Sequence, residues 1–144
     1  MKIKHIIFLF IISIIILMSF SCPSELIKGT VWEGTLKLKD DFDIEVTFYS
    51  NNEINLYMKD KDADKSTLYK GSYYITNDTN SFAAKTKANA HFDGDGTIDS
   101  SKINLEGELS FYNGIGSGDF EIDYYKTFDP DEHFDGEWEL EKVE

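Results

Sequence analysis

Trp32-Glu33-Gly34-Thr35-Leu36 is the first of four copies of one pattern, in which a glycine sits between polar residues that are in turn flanked by apolar ones. The others are Tyr69-Lys70-Gly71-Ser72-Tyr73, Leu105-Glu106-Gly107-Glu108-Leu109 and Phe134-Asp135-Gly136-Glu137-Trp138. In an extended chain successive side chains point to opposite faces. Each copy therefore gathers its apolar residues and its glycine on one side, and its acids, Lys70 and hydroxyls on the other. A glycine on the buried side forfeits packing and costs backbone entropy. Its recurrence predicts points where a strand bends or comes unusually close to a neighbour, as a small closed barrel demands.

The alternation runs outward from these copies to fill the chain. Trp32, Gly34, Leu36 and Leu38 face inward on a first strand, and Phe42, Ile44, Val46 and Phe48 on a second. Ile54, Leu56 and Met58 follow on a third, then Tyr69, Gly71, Tyr73 and Ile75 on a fourth. The fifth strand turns Phe82, Ala84, Thr86, Ala88, Ala90 and Phe92 inward, a strip of small residues between two rings. Ile103, Leu105, Gly107, Leu109 and Phe111 face inward on the sixth, after a short extension at Ile98. Phe120, Ile122 and Tyr124 belong to the seventh, and Phe134, Gly136, Trp138 and Leu140 to the eighth. Turn-forming residues separate the runs, among them Asp40-Asp41, Ser50-Asn51-Asn52, Asp93-Gly94-Asp95-Gly96 and Asn113-Gly114, the last lengthened by Ile115 to Gly118. Segment 127–133 is an acidic loop. The pattern predicts an all-β domain: an eight-stranded antiparallel up-and-down meander that closes into a barrel, with a β-sandwich as the alternative. Periodicity alone shows that one face is buried, not that the sheet meets itself.

Residues 1–21 stand apart from this domain. Lys2 and Lys4 precede an apolar run from Ile6 to Met18 broken only by Ser13, and Ser19-Phe20-Ser21 lead to Cys22. The run is shorter than the ~18 residues that signal a membrane span, and small residues follow it, as in a cleaved signal peptide. Cys22 is the only cysteine, which excludes intramolecular disulfides. The segment resembles a bacterial lipoprotein signal, in the relaxed form known from spirochaetes, with Ser19 where an aliphatic residue is usual. That resemblance implies a cell-envelope protein attached to the lipid bilayer through an acylated Cys22. The alternative is a free thiol beside an uncleaved anchor. The remaining organisation is a tether over 22–28 and a barrel domain over 29–144.

The chain of 144 residues has a formal charge of −13, which becomes more negative once Lys2 and Lys4 are removed. Such a surface is repelled by nucleic acid and by anionic headgroups, which argues against both as partners. Aromatics make up 15% of the chain, too many for a disordered acidic segment and enough to build a core.

Gly29-Thr30-Val31-Trp32 at the start of the first strand and Gly136-Glu137-Trp138-Glu139-Leu140-Glu141-Lys142 at the end of the last make the domain similar to the bacterial lipocalin-like, or calycin, lipoproteins. The motifs depart slightly from that family, with one residue inserted before Trp32 and Lys142 one place late. The resemblance implies a barrel with, in some members, a cavity for a hydrophobic ligand.

Chemistry-bearing patterns are few. Asp93, Asp95 and Asp99 match the middle of an EF-hand loop. An EF-hand also needs an acid at its first position and a bidentate glutamate at its twelfth, where His91 and Lys102 stand, so the stretch reads as a turn and only a weak calcium candidate. Asp129, Asp131, Glu132 and His133 read as a solvated acidic loop. Ser117 lies between glycines but lacks the strand-to-helix setting of a nucleophile elbow. Neither a catalytic group nor a cofactor is predicted; the reading is a binding protein and not an enzyme. A small hydrophobic ligand would sit against Ala84, Thr86, Ala88 and Ala90, walled by Tyr69, Tyr73, Trp32 and Trp138. The competing reading is a structural or adhesive surface lipoprotein with a filled barrel, which meets a protein partner through its exterior.

Overall fold

The computed structural model describes residues 26–38, 41–59, 66–76, 80–93 and 96–143, with backbone alone over 91–93 and at 96. Eight strands follow in sequence: β1 (Val31–Lys37), β2 (Phe42–Phe48), β3 (Glu53–Lys59), β4 (Ser66–Ile75), β5 (Ser81–Asp93), β6 (Gly96–Ser110), β7 (Ile115–Tyr125) and β8 (Glu132–Lys142). Each pairs antiparallel with the next, and β8 returns to pair with β1. Gly34 lies opposite Leu140 and Leu36 opposite Trp138 at this seam. The sheet is thus a closed barrel and not a sandwich, and no strand is left with an unpaired edge along its whole length.

The register follows the alternation. Trp32, Leu36, Val46, Phe48, Ile54, Leu56, Tyr69, Leu105, Leu109, Ile122 and Trp138 are buried inside, while their sequence neighbours face solvent or lie half-exposed. The four pattern glycines sit where strands crowd one another. A Cβ on Gly34 would strike the Glu139 carbonyl and lie 2.8 Å from Leu140 Cα; on Gly71 it would strike the Lys85 carbonyl, 2.8 Å from Thr86 Cα. On Gly107 it would lie 2.8 Å from Gly118 Cα, and on Gly136 it would meet the Phe120 ring at 2.9 Å. All of these are below van der Waals contact, and only a residue without a side chain lets the wall curve this tightly.

The two ends differ. At one, here the terminal end, backbone hydrogen bonds knit neighbouring segments together. Gly29 N donates to Phe48 O at 2.7 Å, Tyr73 N to Asn52 O at 3.0 Å, and Leu109 N to Asn80 O at 3.0 Å. Lys142 N donates to Gly114 O, and Val143 N to Val31 O, both at 2.8 Å. The chain begins and finishes its barrel here. At the far end, β5 to β8 run on past the shorter β1 to β3, which have 7 residues each against 13, 15, 11 and 11.

Five expectations change. Ile27, assigned to the tether, is 1% exposed and packs into the core, because the turn over 26–30 folds it across the terminal end. Gly116, Ser117 and Gly118 belong to β7 and not to a long connection: the turn before them is only 111–114, closed by Gly114 at φ 70° and by Gly114 N donating to Ser110 O at 2.9 Å. Ala90 is exposed rather than inward. Ile98 and Ser101 are both buried although three residues apart, so β6 does not keep strict alternation between them. Asn89 pairs with Ser100 and His91 with Ile98, but no Ala90–Asp99 pair lies between them. Phe134, also assigned inward, is 40% exposed because β8 there extends beyond the end of β1.

Candidate ligand site

The sequence-assigned ligand residues fall into two groups. Trp32, Tyr73 and Trp138 take part in a packed set of rings in the terminal half. Phe48 meets Tyr73 edge-on at 5.0 Å between centroids and Phe82 at 5.2 Å, and Phe82 meets Trp138 at 5.7 Å. Trp32 meets Phe111 edge-on at 5.6 Å. Edge-to-face contact suits the quadrupoles of the rings and fixes their places. Their polar atoms are occupied as well. Trp32 Nε1 donates to Thr30 Oγ1 at 2.9 Å, and Thr30 Oγ1 donates in turn to Ile27 O at 2.6 Å. Tyr73 Oη donates to Tyr49 O at 2.9 Å, and burial raises the Tyr73 pKa above the usual phenol value. These rings close the terminal half of the barrel.

The second group runs from the level of Tyr73 toward the far end. Ala84, Thr86 and Ala88 are all buried on the inner face of β5. Ala84 pairs with Tyr73 and Leu105, Thr86 with Gly71 and Ile103, and Ala88 with Ser101. Thr86 Oγ1 donates to Ile103 O at 2.9 Å, which presents its methyl group in place of its hydroxyl to the interior. Tyr69 is fully buried, and Ser101 Oγ donates to its hydroxyl at 2.8 Å. Tyr69, Ala88 and Ser101 thus come together from β4, β5 and β6. Ser101 was not singled out from the sequence, although it continues the alternation of Ile103 and Leu105 by one step. Tyr124 and Met58 are also buried toward this end and are shared with the core.

At the same place the ladder between β4 and β5 stops. Its last pair is Lys70–Lys87; beyond it Ser66 to Tyr69 pair only with β3, and Ala88 to Asp93 only with β6. The β4–β5 pairing therefore ends beside Ala88, a small inward side chain that is itself buried. A further cleft of about 150 Å³ has a mixed lining, with Tyr74, Leu105 and Phe120 beside Lys85, Glu106 and Asp119.

The candidate cation residues are not gathered. Asp95 and the side chain of Asp93 lie outside the described residues, and the Asp99 carboxylate accepts a hydrogen bond from Thr127 Oγ1. Among the described residues no group of three or more potential metal ligands comes together. His133 Nδ1 lies 2.7 Å from Asp123 Oδ1, an exposed pair that holds the imidazole pKa above its usual value, helped by Glu121 and Asp135. Cys22 and the whole of 1–25 lie outside the described residues.

A closed, eight-stranded, up-and-down barrel with its first and last strands joined fits a lipocalin-like fold. Compared with models of known protein families and with curated proteins, the chain matches none.

Proposed function

We propose that this protein is a lipoprotein of the bacterial cell envelope, attached to the bilayer through acylated Cys22, whose barrel binds a small hydrophobic ligand in its far half. It is read as a binding protein and not an enzyme. The observation that carries the reading is the end of the β4–β5 pairing after Lys70–Lys87, next to Ala88, the last residue of the buried strip Ala84, Thr86 and Ala88. An unpaired stretch of wall beside a small apolar side chain is where a ligand would enter on this reading, and the Tyr69–Ser101 hydroxyl pair would offer it one polar point. Tyr73, Trp32 and Trp138 then form the floor rather than the walls of the site.

A second reading, a structural or adhesive lipoprotein with a filled barrel, draws on the ring packing from Tyr73 through Phe48 and Phe82 to Trp138. One experiment separates the two. Protein purified under native conditions is extracted with organic solvent and the extract analysed by mass spectrometry, beside a folded Ala88→Phe variant. A hydrophobic compound present with the parent and absent from the variant supports the ligand reading. A parent without any such compound, together with a variant of raised stability, shows an unfilled gap that binds nothing and favours the filled-barrel reading.

A further inference from the structure

We infer that the terminal end of the barrel is a membrane-contacting surface, which lies on the bilayer interface instead of swinging free on its tether. The inference rests on the anchored reading above and says which way the domain then faces. Exposed apolar and aromatic side chains collect at this end. Leu26 precedes the turn that crosses it, Tyr49 follows β2, Tyr112 projects from the β6–β7 turn, Ile115 opens β7, and Val143 follows β8. Tyr112 is fully exposed and Ile115 about half exposed at 52%. Hydrogen bonds hold the segments that carry them in fixed positions: Tyr73 Oη donates to Tyr49 O, Lys142 N to Gly114 O, and Val143 N to Val31 O. The rim is therefore built on the rigid barrel.

Two further observations choose a bilayer as its occupant. The first is reach. Leu26 is four residues after Cys22, and four extended residues span at most about 14 Å, so an acylated Cys22 brings this end and no other to the headgroups. The second is charge. Among the described residues of the turns at this end there is no carboxylate, and Lys28 is the one charged group. The far end has Asp41, Asp129 and Asp131 in its described turns. An acidic protein beside anionic headgroups is less repelled through the end whose described turns carry no acid. Tyrosine and aliphatic side chains on that end match the interfacial layer, where a ring sits among headgroups with its hydroxyl toward water.

The test uses the full-length protein purified from membranes. In that protein Cys22 is acylated, so Tyr112→Cys adds one free thiol, which is labelled with an environment-sensitive nitrobenzoxadiazole dye. Phe128→Cys, on the β7–β8 loop at the far end, is the matched control, since Phe128 is itself 96% exposed. Both are reconstituted into phosphatidylcholine vesicles and separated by flotation. The expected result is flotation of both, with a blue shift and quenching by doxyl-labelled lipid at position 112 and neither at 128. Flotation without any shift or quenching at 112 overturns the proposal and leaves the anchor standing. Failure to float overturns the anchored reading and the proposal with it.

Discussion

Gly107 and Gly118 lie directly opposite each other on β6 and β7, and the indole of Trp138 covers Gly107 from inside the barrel. Trp138 Nε1 reaches the wall at this point and donates to Glu106 O at 3.1 Å and Asp119 O at 3.0 Å, the carbonyls next to the two glycines. Without side chains on the glycines the ring can lie low enough to make both bonds. Gly107→Ala is expected to destabilise the domain by about 3 kcal/mol, since the new methyl group meets both Trp138 and the backbone of β7, and Gly107→Val by more. Urea unfolding followed by tryptophan fluorescence measures both.

The register makes a sharper demand at the next two residues toward the N-terminus. Leu105 is fully buried, whereas Glu106 is exposed and directly opposite Asp119. Leu105→Asp buries a carboxyl without a partner and is expected to cost about 4 kcal/mol or more, or to prevent folding. Glu106→Leu removes one of two like charges across a strand pair and is expected to stay within about 0.5 kcal/mol of the parent. Equal losses in thermal unfolding would contradict the inward and outward faces assigned to β6.

The Tyr69–Ser101 pair is wholly buried, with Ser101 Oγ donating to the tyrosine oxygen. Tyr69→Phe keeps the ring and removes the acceptor. It is expected to cost about 1–2 kcal/mol, the usual result of stranding one buried hydroxyl. A Ser101→Ala, Tyr69→Phe double variant is expected to lose less than the sum of the two single changes, which a double-mutant cycle in urea reads directly.

His133 gives a pH dependence. Its hydrogen bond to Asp123, with the charges of Asp123, Glu121 and Asp135 around it, raises its pKa in the folded state above the ordinary value of about 6.5. The protonated ring is thus favoured by folding. The stability it adds is fully present below the unfolded pKa and is lost as pH rises through the folded one. A titration of the His133 ring by NMR is expected to show a midpoint above 6.5, and Asp123→Asn to move it down. An unmoved midpoint would show that the contact is not formed in solution.

Much of the fold was legible because most of each strand buries one face only. Trp32 to Leu36 and Leu105 to Leu109 announce their inward sides by alternation, and the four glycines announce curvature. Closure was less legible, since the pairing of Gly34 with Leu140 joins residues more than a hundred positions apart. The candidate site was read as one ring of residues, yet Trp32, Tyr73 and Trp138 stand apart from Tyr69 and Ala88. Alternation fixes which face a residue occupies. Its height along the barrel depends on the lengths and stagger of neighbouring strands, which no single stretch contains. Ala90 shows the same limit, for it lies beyond the last β4–β5 pair and pairs with no residue of β6.

The seam between β1 and β8 also sets the order in which this chain can acquire its structure. The seven β strands that come first can pair hairpin by hairpin as they appear, each contact local in sequence. β1 nevertheless keeps one side unpaired until Glu137 to Lys142 arrive, at the very end of the last strand. A chain emerging from a ribosome or a translocation pore N-terminus first therefore carries two free strand edges through most of its synthesis or export. Any C-terminal truncation that removes those six residues leaves both edges open to pairing with another copy.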